Sequence, residues 1–151
     1  MLFYSIAFFT AALDQLVKFL VQKNMAVNQS LPLIGEIVKL THVRNTGAAF
    51  SLFVGFSPYL AVIGLVVSAV VIYLHYRVPA KNYMFQAGLA LILGGSISNL
   101  ADRLFRSFVI DYIGLPFWPV FNLADIMINA GVVLLAYLLF IGRKKHVSGS
   151  F

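Results

Sequence analysis

Four long apolar stretches alternate with shorter polar segments along the chain. They run roughly from Leu2 to Val21, from Pro58 to Tyr76, from Tyr83 to Ala101 and from Val120 to Ile141. Because a helix needs about 20 mostly apolar residues to cross the hydrocarbon core of a bilayer, each stretch predicts a membrane-spanning helix. The pattern therefore predicts an all-α membrane protein with four transmembrane helices, forming a single domain over residues 1–151.

The two polar segments that follow the first and third spans do not have the pattern of a membrane-spanning helix. The first contains "EIVKLTHVRN", in which Ile37, Lys39, Thr41 and Val43 alternate with Val38, Leu40 and His42; the stretch is rich in β-branched residues and is flanked by Gly35 and Asn45. This pattern is typical of a strand or a small sheet, here at the membrane surface, with Gly47 as a turn or helix start. The second, from about Asp102 to Pro119, contains glycine and prolines that stop the third helix from continuing into the fourth.

The composition supports a lipid environment and excludes several kinds of chemistry. Hydrophobic residues make up 61% of the 151 residues and charged residues only 11%, more apolar surface than a small soluble domain can bury. The chain has no cysteine, which excludes disulfides, iron–sulfur clusters, thiolate zinc sites and cysteine nucleophiles. The net charge of +6 does not indicate nucleic acid, because no basic stripe with interleaved aromatic residues is present.

The distribution of basic residues predicts the orientation. With four spans, both termini lie on one side of the membrane, together with the hairpin that contains Arg77 and Lys81. The tail Arg143-Lys144-Lys145 lies on this side too, so the positive-inside rule assigns it to the cytoplasm. We expect a monomer with both termini cytoplasmic.

Acidic residues are scarce, and those at membrane depth are candidates for function because burying a charge is costly. Asp14 and Lys18 lie four residues apart on the first span, with the acid before the base, as in a favourable intrahelical pair. We interpret them as a structural ion pair that faces the bundle interior, with a role in positioning a catalytic site as the alternative. Glu36 is expected to be a solvated loop residue.

The third span ends in "GGSISNLADR", which combines a small-residue face with a polar cluster. Gly94 and Gly95, with the serines that follow, allow close approach of another helix. Asn99, Asp102 and Arg103 place polar groups at the boundary of the membrane, where Asp102 is expected to pair with Arg103 or with a more distant cation. A phosphate loop is excluded, because no Gly-Lys-Ser/Thr follows.

Asp111 and Asp125 stand on either side of the proline-broken connection between the third and fourth spans. Asp125 lies in the first turn of the fourth helix, where Asn122 is a candidate cap and the helix dipole favours an anion. Two carboxylates at one poorly hydrated boundary cannot readily both ionise, and such a pair can activate water as acid and base toward a carbonyl group. This is the chemistry of an aspartyl protease, although Asp125 could also be only a helix-start acid.

Other functions remain open at this point. A small proton- or cation-coupled transporter could use the same aspartates, a serine–lysine protease could use Ser51 and Lys39, and a purely structural membrane subunit would need neither. His42, His75 and His146 have no ligand spacing, so no metal and no other cofactor is predicted.

Five motifs, in this order, resemble the bacterial lipoprotein signal peptidase family, also called signal peptidase II. They are "DQLVK" at Asp14–Lys18, "RNTGAAF" at Arg44–Phe50, "GGSISNLADR" at Gly94–Arg103, "VIDYI" at Val109–Ile113 and "FNLAD" at Phe121–Asp125. The resemblance covers nearly the whole chain. It departs from the family at Ser98, where a glycine is usual before the asparagine, and in the short connection between the two aspartates.

The resemblance implies an aspartyl endopeptidase of the bacterial inner membrane with its active site near the outer face. Its substrates would be diacylated prolipoproteins held in membrane lipid and cut just before the lipidated cysteine. The catalytic pair would be Asp111 and Asp125. The supporting residues would be Asp14, Lys18, Asn45, Gly47, Asn99, Asp102, Arg103 and Asn122.

Overall fold

The computed structural model describes residues 1–47 and 57–148, with side chains up to residue 140. The elements in chain order are α1 (Leu2–Asn24), β1 (Ser30–Ile34), β2 (Val38–Asn45), α2 (Ser57–Arg77), α3 (Tyr83–Arg106), β3 (Val109–Leu115), β4 (Trp118–Phe121) and α4 (Leu123–Ser148). In this part of the chain, four helices are long and apolar enough to cross a membrane. The prediction of four spanning helices with a small β-rich element is confirmed, and the chain is a multi-pass membrane protein.

The boundaries of the helices differ from the predicted spans at several places. Both ends of α2 differ by one residue, and α4 continues to Ser148 rather than Ile141. α1 continues to Asn24 and α3 to Arg106, because the polar residues after each apolar run extend the helix beyond the hydrocarbon. α4 begins at Leu123 rather than at Val120, because residues 118–121 pair as strand β4. Gly47 lies in a bend rather than at a helix start, and Ser51 lies outside the described residues.

The sheet is larger than the first polar segment alone predicts. Its strand order is β1-β2-β3-β4, and every neighbouring pair is antiparallel. β2 pairs with β3 so that Val43 lies opposite Asp111 and Asn45 opposite Val109. The segment between α3 and α4 therefore forms a hairpin rather than an irregular connection: Pro116 lies in its turn, Gly114 near the end of β3 and Pro119 near the start of β4.

α3 is the central helix, and its glycines allow two neighbours to approach on different sides. A Cβ atom added at Gly94 would lie 2.5 Å from the carbonyl oxygen of Ala7 in α1. One added at Gly95 would lie 2.5 Å from the carbonyl oxygen of Ala124 in α4. The predicted small-residue face is confirmed, and it packs α3 against the first turn of α4, in which Asp125 lies.

The close approach at Gly95 predicts that Gly95→Ala lowers the thermal stability of the purified protein in detergent. Overpacking of this kind costs about 1–3 kcal/mol, which exceeds the gain in helix propensity of roughly 1 kcal/mol that alanine brings. Gly64→Ala in α2 is the matched control, because its added Cβ would meet Leu100 at an ordinary 3.7 Å. The control should melt at or above the wild-type temperature. Equal melting temperatures for the two variants would contradict this description of the α3–α4 contact.

Candidate active site

A cavity of about 740 Å³ opens where α3, β3, β4 and the start of α4 meet. Asp111 and Asp125 both line it, together with Asn45, Asn99 and Arg103. Apolar side chains from β4 and α4 complete the walls, namely those of Trp118, Pro119, Val120, Phe121, Ile126, Ile128, Ala130 and Val133. The cavity therefore combines two carboxylates with a largely apolar lining.

Asp111 lies in the middle of β3 and is only 2% exposed. Its Oδ1 accepts a hydrogen bond of 2.6 Å from Nδ2 of Asn122, and its Oδ2 accepts one of 2.8 Å from Nδ2 of Asn45. Burial, with a contribution from the negative charge of Asp125, raises the pKa of Asp111 to about 7 against the opposing effect of these amides. At neutral pH this carboxyl can therefore either hold or release a proton.

Asp125 is fixed by the start of α4. The backbone N–H of Asp125 donates to Oδ1 of Asn122 at 2.9 Å, and Oδ2 of Asp125 accepts from the backbone N–H of Asn122 at 3.3 Å. This reciprocal arrangement is a capping box built from asparagine and aspartate. Oδ1 of Asp125 also accepts a hydrogen bond of 2.8 Å from Nδ2 of Asn99, so both carboxylate oxygens are oriented by donors.

Behind the two aspartates, the ammonium group of Lys18 is completely buried and fully hydrogen-bonded. Its Nζ lies 2.7 Å from Oδ2 of Asp14, 3.0 Å from Oδ2 of Asp102 and 2.8 Å from Oδ1 of Asn99. The intrahelical pair of Asp14 and Lys18 is present as the sequence predicted. It also reaches α3, where Asn99 connects it to Asp125.

Asp14 connects three further elements to α1. Its Oδ2 accepts a short hydrogen bond of 2.6 Å from the hydroxyl of Ser98 in α3. Its Oδ1 accepts from the hydroxyl of Tyr112 in β3 at 3.0 Å and from the backbone N–H of Ala124 in α4 at 3.1 Å. Ser98 thus adds a hydroxyl donor to a buried carboxylate.

Asp102 pairs with more distant cations, which is the second of the two alternatives given from the sequence. Asp102 does not form a salt bridge with the adjacent Arg103 within the described residues; it pairs with Lys18 and with Arg106, one helical turn further along α3. Adjacent residues on a helix point in different directions, whereas residues four apart share a face. Asp102 also accepts hydrogen bonds from Gln15 at 3.0 Å and from the backbone N–H of Ile110 at 3.2 Å.

The remaining predicted residues lie at the edge of the cavity. Arg103 lines it and donates to the backbone carbonyl of Asn99 at 3.4 Å. The backbone N–H of Gly47 donates to Oδ1 of Asn45 at 2.9 Å, which orients the amide of Asn45 so that its Nδ2 faces Asp111. Glu36 is exposed, as expected, and pairs with Lys39 on the surface at 2.9 Å.

Four residues of this polar network were not identified as candidates from the sequence. They are Gln15, Ser98, Arg106 and Tyr112. Tyr112 could not be found from the alternation of a strand, because β3, on which it lies next to Asp111, was not predicted as a strand and is buried on both faces. Arg106 lies at helical spacing from Asp102, which was a usable signal.

The arrangement places two carboxyl groups suited to proton transfer beside the apolar walls of one cavity. The hydrogen bonds to Asp111 and Asp125 described above come from amides or a backbone N–H, and among the residues with described side chains neither carboxylate forms a salt bridge. In the part of the chain with described side chains, no group of three or more His, Asp or Glu residues has the geometry of a metal site.

Comparison with known proteins identifies the family. The sequence model described as "Signal peptidase (SPase) II" matches residues 6–141. The chain is 38% identical over 137 residues to a lipoprotein signal peptidase of Moorella thermoacetica, covering 91% of each chain. It is 39% identical over 149 residues to one of Bacillus pumilus, covering 96% of each.

Solved structures agree with this result. A bacterial membrane enzyme structure matches with a TM-score of 0.83 at 26% sequence identity, over 97% of this chain and 89% of the other. A second matches with a TM-score of 0.80 at 27% identity, over 89% of each chain. Over nearly its full length, in sequence and in fold, the chain therefore belongs to the lipoprotein signal peptidases of the signal peptidase II family.

Proposed function

We propose that this chain is a membrane aspartic endopeptidase that removes signal peptides from diacylglyceryl-modified lipoprotein precursors, with Asp111 and Asp125 as its catalytic pair. The observation that carries the proposal is that both carboxylates line one cavity with apolar walls at the head of a membrane-spanning helix. The family is one of proteases, and of the described residues around the cavity, these two aspartates are the groups best suited to activate water.

In the proposed reaction a water molecule lies between the two carboxyl groups. The ionised carboxylate accepts a proton from the water as its oxygen attacks the scissile carbonyl carbon, while the protonated carboxyl donates its proton to the carbonyl oxygen. Collapse of the resulting gem-diol breaks the C–N bond, and a proton passes from the pair to the leaving amine. The raised pKa of Asp111, about 7, supports a pair that shares one proton under working conditions.

The cavity also supports a lipid-borne substrate. Its apolar lining continues along α4 through Ile126 and Val133, on a helix that lies in the bilayer. A precursor whose lipid stays in the membrane could bring its peptide bond to Asp125 without leaving the apolar phase. The bond cut would be the one just before the lipidated cysteine, as the family resemblance implies.

The other functions considered from the sequence are not supported. Family membership sets aside the transporter and the purely structural subunit. A serine–lysine protease would need Lys39 in a site, whereas Lys39 forms an ion pair with Glu36 on the surface.

We propose further that the protein lies in the bacterial inner membrane with both termini in the cytoplasm and the site near the outer face. The basic residues around Arg77 and after Gly142 support this orientation.

Cysteines introduced at Gln29 and Ser148 should be labelled from opposite sides of the membrane by an impermeant reagent, Gln29 from outside. Labelling of both from outside would contradict the orientation.

We expect Asp111→Asn and Asp125→Asn each to abolish cleavage of a purified diacylated precursor. Asparagine keeps the size of the side chain but cannot exchange a proton with the attacking water. Because the two acids act as one unit, the double variant should be little worse than either single variant. Glu36→Gln, which changes an exposed acid, is the matched control and should retain activity.

Thermal unfolding and binding of the lipidated precursor should be measured on the same preparations, so that loss of fold is not mistaken for loss of chemistry. Near-normal turnover by a folded Asp111→Asn or Asp125→Asn variant would exclude the mechanism.

The pH dependence of kcat/KM should have a basic limb with an apparent pKa near 7. The folded-state pKa of Asp111 lies above the ordinary value of 3.8, so the shared proton is retained below about pH 7 and lost above it. Activity should then fall about tenfold per pH unit at higher pH, and the apparent value belongs to the pair rather than to one residue. The precursor used for this profile should have no group that ionises in this pH range. Activity that stays constant up to pH 9 would contradict the hypothesis that the two carboxyl groups share one proton.

A further inference from the structure

The turns of the two β-hairpins lie side by side at one end of the sheet. β1 and β2 are joined by residues 35–37, and β3 and β4 by residues 116–117. The antiparallel register brings the two turns together, because Lys39 at the start of β2 lies opposite Gly114 near the end of β3. A shallow groove of about 380 Å³ is lined from both hairpins, by Ile37 on one side and Leu115 on the other.

This end of the sheet exposes large apolar side chains from both hairpins. In the hairpin of β1 and β2, Leu33 is 60% exposed, Ile34 67% and Ile37 65%. In the other, Phe117 is fully exposed and Trp118 is 61% exposed. We call this group, together with the partly exposed Leu115, the apolar sheet end; its members are Leu33, Ile34, Ile37, Leu115, Phe117 and Trp118.

Phe117 has a backbone conformation that its side chain does not favour. Its φ angle is +61°, in the left-handed region that glycine or asparagine usually occupies and that bulky residues rarely adopt. The side chain is fully exposed, so within the described residues packing does not offset the strain. A strained aromatic residue at the tip of a hairpin indicates a role outside the folding of the chain itself.

The sheet is continuous with the membrane-spanning part of the protein. β3 follows α3 after two residues, and β4 is separated from α4 by Asn122 alone. The sheet therefore lies at the end of the bundle where these helices leave the bilayer. The turns are distal to the ends of α3 and α4, but Trp118 lines the cavity together with Ile126 and Val133 of α4, so this end of the sheet lies beside a membrane-spanning helix. Trp and other aromatic side chains are enriched at the membrane interface, and an exposed ion pair such as Glu36–Lys39 can lie among lipid headgroups beside them.

We propose that the apolar sheet end enters the interfacial layer of the bilayer and anchors the sheet to the lipid surface. The partner is the boundary between headgroups and acyl chains, not a second protein. Anchoring at this point sets the height of β3 and β4 above the hydrocarbon, and these strands carry Asp111 and one wall of the cavity. The inference does not depend on the reaction that the cavity performs.

Trp118 is the only tryptophan in the sequence, so its fluorescence reports directly on this surface. The full chain, reconstituted in phosphatidylcholine nanodiscs, should be quenched by lipids brominated near the top of the acyl chain and only weakly by iodide in the buffer. Phe117→Gly and the double variant Ile34→Ser/Ile37→Ser should each shift Trp118 toward the buffer, with less quenching by brominated lipid, more by iodide, and emission at longer wavelength.

Phe117→Gly is informative because glycine relieves the positive φ angle, so this variant should unfold in detergent at or above the wild-type temperature. Asn28→Gly is the matched control: Asn28 also has a positive φ, +67°, but its replacement removes no apolar side chain. The control should leave the quenching unchanged.

Three results would overturn the proposal. Quenching of the wild type by iodide but not by brominated lipid would place this surface in water. Protection from both quenchers would indicate a protein partner or a second copy. Quenching by brominated lipid that is unchanged in both Phe117→Gly and Ile34→Ser/Ile37→Ser would show that Trp118 contacts lipid although the turns do not insert into the bilayer.

Discussion

The buried ammonium group of Lys18 is the interaction on which the rest of the structure depends. A lysine at this depth is costly unless its charge is balanced and all its hydrogens are bonded. Both conditions are met: Asp14, Asp102 and Asn99 receive its three hydrogen bonds, and Arg106 balances the second carboxylate. The cluster of two acids and two bases is therefore neutral, and it connects α1 to α3 at the end of the bundle that carries the sheet.

This cluster also determines which way the amides of the site face. Oδ1 of Asn99 accepts from Lys18, so its Nδ2 must face the other way, toward Asp125. Oδ1 of Asn122 accepts the backbone N–H of Asp125, so its Nδ2 is directed to Asp111. Each aspartate therefore receives donors whose orientation is fixed elsewhere, and the pair is preorganised before a substrate arrives. In this arrangement Lys18 is linked to Asp125 through Asn99 and forms no direct salt bridge with either aspartate.

The sequence predicted the parts of the molecule that follow from local patterns. Long apolar runs predicted the helices, the glycines of α3 predicted its close contacts, and the spacing of Asn122 and Asp125 predicted the capping of α4. The hairpin of β3 and β4 was missed because β4 has only four residues and because one proline lies in its turn and another just after it, a pattern typical of an irregular connection. Its first strand is also buried on both faces, at Ile110 and Asp111 among others, so it lacks the alternation that marks a half-exposed strand.

Long-range contacts in the site could not be derived from one sequence. Asp14 bonds Tyr112 and Ala124, about 100 positions away along the chain, and nothing local to Asp14 indicates those partners. The same holds for the contact of Lys18 with Asp102. The family resemblance suggested that these residues act together, but only the packing of α1 against α3 and the sheet explains why each is needed.

The most direct test of this account is the thermal stability of Lys18→Met in detergent, compared with that of Lys18→Met/Asp14→Asn. The single variant leaves two buried carboxylates without their shared cation, which should cost on the order of 3–5 kcal/mol. The double variant removes one of these charges and should recover part of the loss. Lys39→Met, which breaks only the exposed pair with Glu36, should change stability by less than about 1 kcal/mol. A Lys18→Met protein as stable as the Lys39→Met control would contradict the central position given to Lys18.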